Sequence, residues 1–367
     1  MPATNYYVDA SVTSASGSGS GTLGDPWVKT DDLFQYALDQ IAAGSGRDTV
    51  NGDRITNLAG SMTVTSGIDP RAYGTPTNTA PLYLDGGPQR TPYDLGGFSF
   101  VINYLAASTK TATHLSRMDF TNPNTASDGI YIGSYGSIID CSYVGSSSNS
   151  VGAIFLGNFA TMIGCKCTNI NGLSLVGGPV FNFSSYAKGY GNFFEFNGGY
   201  GQYGLYTRSQ FSGNVIVQKN MASGVGCWRT LDGTHGFNNT LYGDGNDFGI
   251  YAQSSSDNYL TVFNNYVENF NIGFFVSTAS DFNIFAGNYS YGNNFDQQNN
   301  AGGSFVENNV VLGSSGLVDA ANGDFRPNQN LIAKGYSPLS LSLPLSEVPT
   351  VGAMQGNIMA KRLRDLY

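Results

Sequence analysis

The segment CWRTLDGTHGF, residues 227–237, is the most charge-dense part of the chain's long repetitive middle, and it brings Trp228, Arg229, Asp232 and His235 close together. Glu195 and Asp247 lie in neighbouring repeats, and Arg208 lies one repeat earlier. Glycoside hydrolysis needs two carboxyl groups, about 5 Å apart for retention or about 6.5–9.5 Å apart for inversion, and stacked repeats can supply such pairs. Elimination at a uronate needs instead a base and a cation that neutralises the sugar carboxylate. His235, with an ordinary pKa of about 6.5, has the chemistry of either an acid or a base. The candidate catalytic set is therefore Glu195, Asp232, His235 and Asp247. The competing reading is that a histidine beside an aspartate in one turn is structural.

A second chemistry is stacking on rings. Two positions after Gly129, Gly152, Gly178, Gly204, Gly226, Gly249 and Gly273 come Tyr131, Ile154, Val180, Tyr206, Trp228, Tyr251 and Phe275. Rings aligned on one face can pack against the C–H faces of sugars while the hydroxyls keep their hydrogen bonds. With polar neighbours added, the candidate ligand-binding set is Tyr206, Arg208, Trp228, Arg229, Tyr251 and Gln253. The same rings read as core if the phase is one residue off, or as a subunit contact. No metal site or cofactor is expected: Cys141, Cys165, Cys167 and Cys227 contain no C-x-x-C, and the chain has two histidines. Cys141 and Cys165 read as small apolar members of a repeated corner, within disulfide reach across adjacent coils if their side-chain geometry allows.

Positioning these residues requires a repeating scaffold. The glycines above are spaced 23, 26, 26, 22, 23 and 24 apart. A second column, Cys141, Cys165, Asn192, Asn214, Asn239, Asn265, Asn288 and Asn309, keeps step with spacings of 24, 27, 22, 25, 26, 23 and 21. Such a period is the signature of a solenoid, whose repeats bury their apolar faces against one another. Alternating runs such as NVIVQ and GIYIG, without helical apolar spacing, make the repeats strands. Residues two positions after the second column, from Tyr143 and Cys167 to Ser290 and Val311, read as core. Those one position after it, from Ser142 and Lys166 to Tyr289 and Val310, read as surface. Asparagine suits the corner because it tolerates the left-handed backbone and its amide can join a ladder between coils spaced about 4.8 Å apart.

With this column, and with phrases such as GFNNTLYGD, VFNNYVENF and FVENNVVLG, the chain resembles the right-handed parallel β-helix proteins of the pectin-lyase-like type, which include polysaccharide lyases and phage tailspikes. The resemblance implies an all-β, right-handed parallel β-helix solenoid with an N-terminal capping α-helix. The catalytic motifs of such enzymes do not transfer. The Trp-Ile-Asp-His and Arg-x-Pro-x-x-Arg segments of pectate lyases are missing; of the polygalacturonase motifs, no Asp-Asp pair occurs in the repeated ladder, and Gly-His-Gly is missing because Thr234 precedes His235. Tailspike hydrolases carry no compact motif, so hydrolysis stays open.

The three segments expected are residues 1–46, with an opening strand, a Gly/Ser loop and the capping helix; 47–313, the β-helix; and 314–367, a closing segment with a basic tail of Lys361, Arg362 and Arg364. Leu33, Phe34, Ala37, Leu38 and Ile41 have helical spacing, with Thr30 as N-cap and Gly44 as stop. The closing segment is expected to return over the last coils. A net charge of −9 disfavours nucleic acid as a partner. No apolar run of membrane-spanning length is present, and the N-terminus does not read as a secretory signal.

The expectation is a non-catalytic structural or adhesive β-helix on a virion surface or outside cells, such as a phage fibre, spike or decoration protein. Its partners would be surface glycan or other virion proteins. A homotrimer is implied by analogy with virion β-helices. The alternatives are a polysaccharide-degrading, tailspike-like hydrolase or lyase, and a secreted bacterial carbohydrate-binding protein.

Overall fold

The computed structural model describes residues 3–331, apart from 67–72, 103–111, 122–128, 146–153, 173–180, 200–202, 222–225, 231–232, 246–247, 253–259, 277–282 and 300–304 and positions 45, 75, 78, 99, 185, 209, 308 and 330. The basic cluster Lys361, Arg362 and Arg364 falls outside the described residues. Short strands rich in β-branched and aromatic residues form three sheets of 12, 11 and 9 strands, in each of which a strand pairs with its counterpart in the next coil. The pairing is parallel throughout these sheets; in the twelve-stranded sheet, for example, Ser137, Thr161, Lys188, Gln210, His235 and Thr261 stand in register on successive coils. The protein is an all-β parallel β-solenoid.

The corner between the twelve- and eleven-stranded sheets explains why the asparagine column recurs. At Asn192, Asn214, Asn239, Asn265 and Asn288, both the backbone N–H and Nδ2 donate to Oδ1 of the next asparagine, at 2.8–3.0 Å. Each of these Nδ2 groups also reaches a backbone carbonyl, such as Phe211 O from Asn239 at 3.0 Å. The amides thus satisfy buried backbone groups that the turn leaves outside the sheet ladders. The left-handed turn residue is not the column asparagine but its predecessor: Arg117, Asp140, Gly164, Gly191, Gly213, Asn238, Asn264 and Gly287 have φ of 51–63°. Cys141 and Cys165 occupy the same column as buried free thiols.

Inside the coils, one apolar cluster extends from Val8 to Phe285. Tyr143, Cys167, Phe194, Ile216, Leu241, Val267 and Ser290 are buried, as their alternation requires, while Val311 near the end of the ladder is 62% exposed. The expected surface row departs from the pattern. Ser142 and Lys166 face out, but Val215, Thr240, Tyr266 and Tyr289 are buried. The closing segment covers this face. Leu317–Asp319 and Asp324–Pro327 form an antiparallel hairpin, Phe325 packs near Phe193 and Tyr242, and Leu312, Leu317 and Leu331 cluster with Tyr266 and Tyr289.

At the opposite end, the strand Thr4–Ala10 pairs with Asp53–Gly60, and the helix Leu33–Ala43 buries Leu33, Phe34, Ala37, Leu38 and Ile41. Phe34 stacks on Tyr93 with ring centroids 5.9 Å apart, so the helix closes the core at its first coil. Gly44 terminates it, donating its N–H to Gln40 O. The N-cap is Asp32 rather than Thr30, and it makes no side-chain bond to its own helix. Its carboxylate instead accepts the Thr65 N–H at 2.8 Å and the hydroxyls of Thr65 and Ser66, tying the helix to the coil.

Candidate functional site

The row that alternates with the core positions of the nine-stranded sheet runs in backbone register through Tyr131, Phe155, Asn182, Tyr206, Arg229, Tyr251, Phe275 and Gln298, and along it Tyr131, Phe155, Arg229, Tyr251 and Phe275 are half-buried. Tyr131 and Phe155 stack at 4.5 Å with planes 10° apart, and Tyr251 lies 5.2 Å from Phe275. Tyr206, Arg229 and Tyr251 of the candidate binding set therefore share one row. Trp228 does not. It pairs with Leu205 and Ile250, two core positions, and is fully buried, with Nε1 donating to Thr207 Oγ1 at 3.0 Å. The physical reason is a one-residue offset at Gly226, which pairs with Phe248 and not with Gly249. Gly236 exists for this ring: a Cβ there would stand 2.1 Å from the Trp228 six-membered ring. Ile154 likewise faces the core, and Phe155 takes its place in the outer row.

The acid and base candidates are dispersed. Glu195 lies on the eleven-stranded sheet, where its carboxylate is 3.1 Å from Lys219 Nζ. His235 is exposed on the twelve-stranded sheet, between Gln210 and Thr261. These two belong to different faces of the coil and form no shared acid–base site. Asp232, Asp247 and Gln253 lie outside the described residues. Arg208 is exposed in the short corner between Thr207 and Gln210. A groove of about 760 Å³ does open beside the closing hairpin, but its prominent charges serve one another. Arg90 bridges Asp119 and Asp140 at 2.7 Å each, and Arg326 pairs with Asp324. Burial of Arg90 favours its neutral form, yet the hydrogen bonds and charge of Asp119, with Asp140, override it and hold the guanidinium protonated.

The feature that counting from the glycines missed lies at the corner between the nine- and twelve-stranded sheets. Tyr135, Phe159 and Tyr186 occupy equivalent positions on three successive coils, and their rings stack at 4.9 and 4.8 Å with planes 16° and 6° apart. Each is the third residue of a tight turn, closed by Gly136 N–H to Gly133 O, Ala160 N–H to Gly157 O and Ala187 N–H to Ser184 O. Their φ values are 66°, 61° and 60°. Turns with positive φ at this position ordinarily take glycine or asparagine, and a bulky residue there is strained by about 1–3 kcal/mol. Burial does not compensate, because Phe159 is 45% and Tyr186 64% exposed. The signal was present in the sequence: spacings of 24 and 27 match those from Cys141 to Cys165 to Asn192.

The two aromatic columns lie on the same coils, Tyr131 and Phe155 on the strands and Tyr135 and Phe159 at the adjoining corner. Together they make an aromatic surface that rises along the solenoid axis. It is suited to holding a chain of ring-shaped units and contains no acid–base pair among the described residues. Comparison of this chain with protein-family models, curated proteins and solved structures found no match, so the architecture that the register establishes is that of a parallel β-solenoid.

Proposed function

We propose that the protein is a non-catalytic adhesive β-solenoid that presents aromatic rows to surface glycans. The carrying observation is the solvent-facing Tyr135–Phe159–Tyr186 stack, whose rings stay in strained left-handed turns where glycine would be cheaper. Strain of this kind persists where a side chain is needed in place, and exposed rings serve recognition of other molecules. The resemblance to pectin-lyase-like and tailspike β-helices supports a place on a virion surface as a fibre, spike or decoration component, with glycan or other virion proteins as partners. A homotrimer belongs to this reading by analogy alone. The dispersal of Glu195 and His235 over two faces weighs against the depolymerase alternative.

The test is affinity electrophoresis and a glycan array with the wild-type chain and the double variant Phe159→Ala, Tyr186→Ala. Retention by at least one class of polysaccharide, lost in the double variant and unaccompanied by new reducing ends or unsaturated uronate absorbance, is expected. Release of either product during incubation would move the protein to the depolymerase class.

A further inference from the structure

The buried corner column that carries the asparagines changes its chemistry near the start of the solenoid. Register places Met118 over Thr91, Cys141 over Met118, Cys165 over Cys141 and Asn192 over Cys165. To either side the column ties coil to coil: Asn57 Nδ2 donates to Thr91 Oγ1 at 2.8 Å, and the Cys165 N–H donates to Asn192 Oδ1 at 2.9 Å. Between them, the steps from Thr91 to Met118, Met118 to Cys141 and Cys141 to Cys165 contain no side-chain amide. The two thiols make the contacts that an asparagine amide makes elsewhere, only longer and weaker. Cys165 Sγ lies 3.4 Å from Ile163 O and 3.5 Å from Ile138 O, as Asn214 Nδ2 reaches Ser212 O and Gly189 O, and Cys141 Sγ lies 3.4 Å from Ile139 O. Ile139 O and Ile163 O also accept the N–H of Arg117 and of Asp140, so neither carbonyl depends on its thiol.

We infer that Cys141 and Cys165 are the site of a reversible disulfide, formed by exchange with a low-molecular-weight disulfide such as glutathione disulfide, that ties two coils where the amide ladder is missing. Stacking sets their Cα atoms about 4.8 Å apart, inside the window of about 4.4–6.8 Å that a disulfide spans. Burial pushes the Cys141 thiol up, and the Cys165 side chain, within hydrogen-bond reach of it, pushes the same way. The thiolate is the nucleophile, so exchange at neutral pH is slow. Access comes from outside: each residue is 3% exposed, and both line the groove of about 760 Å³ beside the closing hairpin, which has room for a small reagent. Cys167 and Cys227 are buried in the core and do not line it. One cysteine thiolate attacks the S–S bond of the reagent and releases a thiol; the second thiolate then attacks the protein sulfur of that mixed disulfide and releases the other. The two cysteine protons end on the released thiols, and the two electrons lost by the cysteine pair reduce the reagent. The product is uncharged, which suits a buried corner.

The test incubates the folded full chain with glutathione disulfide, denatures it in an alkylating agent and digests it with trypsin. No lysine or arginine lies between Arg117 and Lys166, so Cys141 and Cys165 share one tryptic peptide, residues 118–166, while Cys167 begins the next. That peptide should be lighter by two hydrogens, take up no alkylating agent, and accept a label on both cysteines after reduction. The oxidised chain should withstand more urea than the reduced one, and amide exchange across residues 137–145 and 161–168 should slow roughly tenfold or more. Cys141→Ser and Cys165→Ser should each remove both effects, and Cys227→Ser should keep them. Alkylation of both cysteines after incubation of the folded wild type, a glutathione adduct that persists on one of them, or a peptide cross-linked through Cys167 or Cys227 would each overturn the inference. An oxidised chain no more resistant to urea than the reduced one would overturn it as well.

Discussion

Asn239 is the point at which three coils meet through a single amide. Its Oδ1 accepts from the N–H and Nδ2 of Asn214, its own N–H and Nδ2 donate to Asn265, and Nδ2 also donates to Phe211 O, all at 2.9–3.0 Å. The residue is fully buried, so truncation strands donors and acceptors that water cannot reach. Asn239→Ala should therefore destabilise the fold by roughly 3–5 kcal/mol, since each buried group left unpaired costs about 1–3 kcal/mol. Asn309 accepts from Asn288 but donates to the side chain of Gln297 and is only half-buried, so Asn309→Ala should cost less than half as much. Paired urea titrations measure the difference, and equal midpoints would refute the ladder's role. The column was legible because stacking forces one residue type into one environment on every coil. The left-handed position before it was not, because Arg117, Asp140, Gly164 and Asn238 share a backbone conformation and no side-chain chemistry. The same limit misplaced Trp228: a one-residue offset at Gly226 leaves the periodicity intact while exchanging inside for outside.

Two titratable groups buried in the fold, Glu268 under the closing segment and His114 within the twelve-stranded sheet, respond to pH in opposite senses. Glu268 lies under the closing segment, where it accepts hydrogen bonds from Tyr266 and Ser315 while Gly316 N–H donates to Tyr266 Oη. Burial raises the Glu268 pKa, and those hydrogen bonds only partly offset it. A folded pKa above the unfolded value means a contribution that is present at low pH and is lost as pH rises above about 4.5 through the folded value. Hydrogen-exchange protection across residues 312–328 should accordingly fall over that window in the wild type and stay flat in Glu268→Gln. His114, stacked on Tyr83 at 4.8 Å and bonded through Nδ1 to Ser137 Oγ, is pushed down to about 4 by burial and then by Arg54. Its contribution is present above the unfolded value near 6.5 and is lost as pH falls toward 4, on the order of 3 kcal/mol. The urea midpoint of the wild type should drop across that range and that of His114→Phe should drop less; parallel curves would remove His114 from the account. The helix was legible from its apolar spacing, and the returning segment from its resemblance to the closing stretch of β-helix proteins. Their contacts were not. Asp32 has the residue type of a helix cap, yet its carboxylate bonds to Thr65, a partner 33 residues away that no local pattern predicts.

A solenoid has two ends that are sheet edges by construction, and the molecule's solubility depends on what covers them. At the first coil, Thr4–Ala10 occupies the edge of Asp53–Gly60, and the helix places Phe34 over Tyr93 and the core beneath it. Deleting residues 1–46 would uncover the backbone N–H and C=O groups of the Asp53–Gly60 strand together with the apolar cross-section around Ile55, Met62 and Tyr93. Such an end matches another copy of itself in spacing and in apolar character, so the truncated chain should associate end to end. Light scattering should show its mass rising with concentration while the strand signal in circular dichroism is retained. Phe34→Asp, which keeps the edge strand but disrupts the apolar seat of the helix, should associate less, because the edge remains paired. A truncated chain of constant mass over a hundredfold range of concentration would mean that coils beyond the first protect their own edges. The N-terminal strand and helix would then serve an attachment rather than a seal.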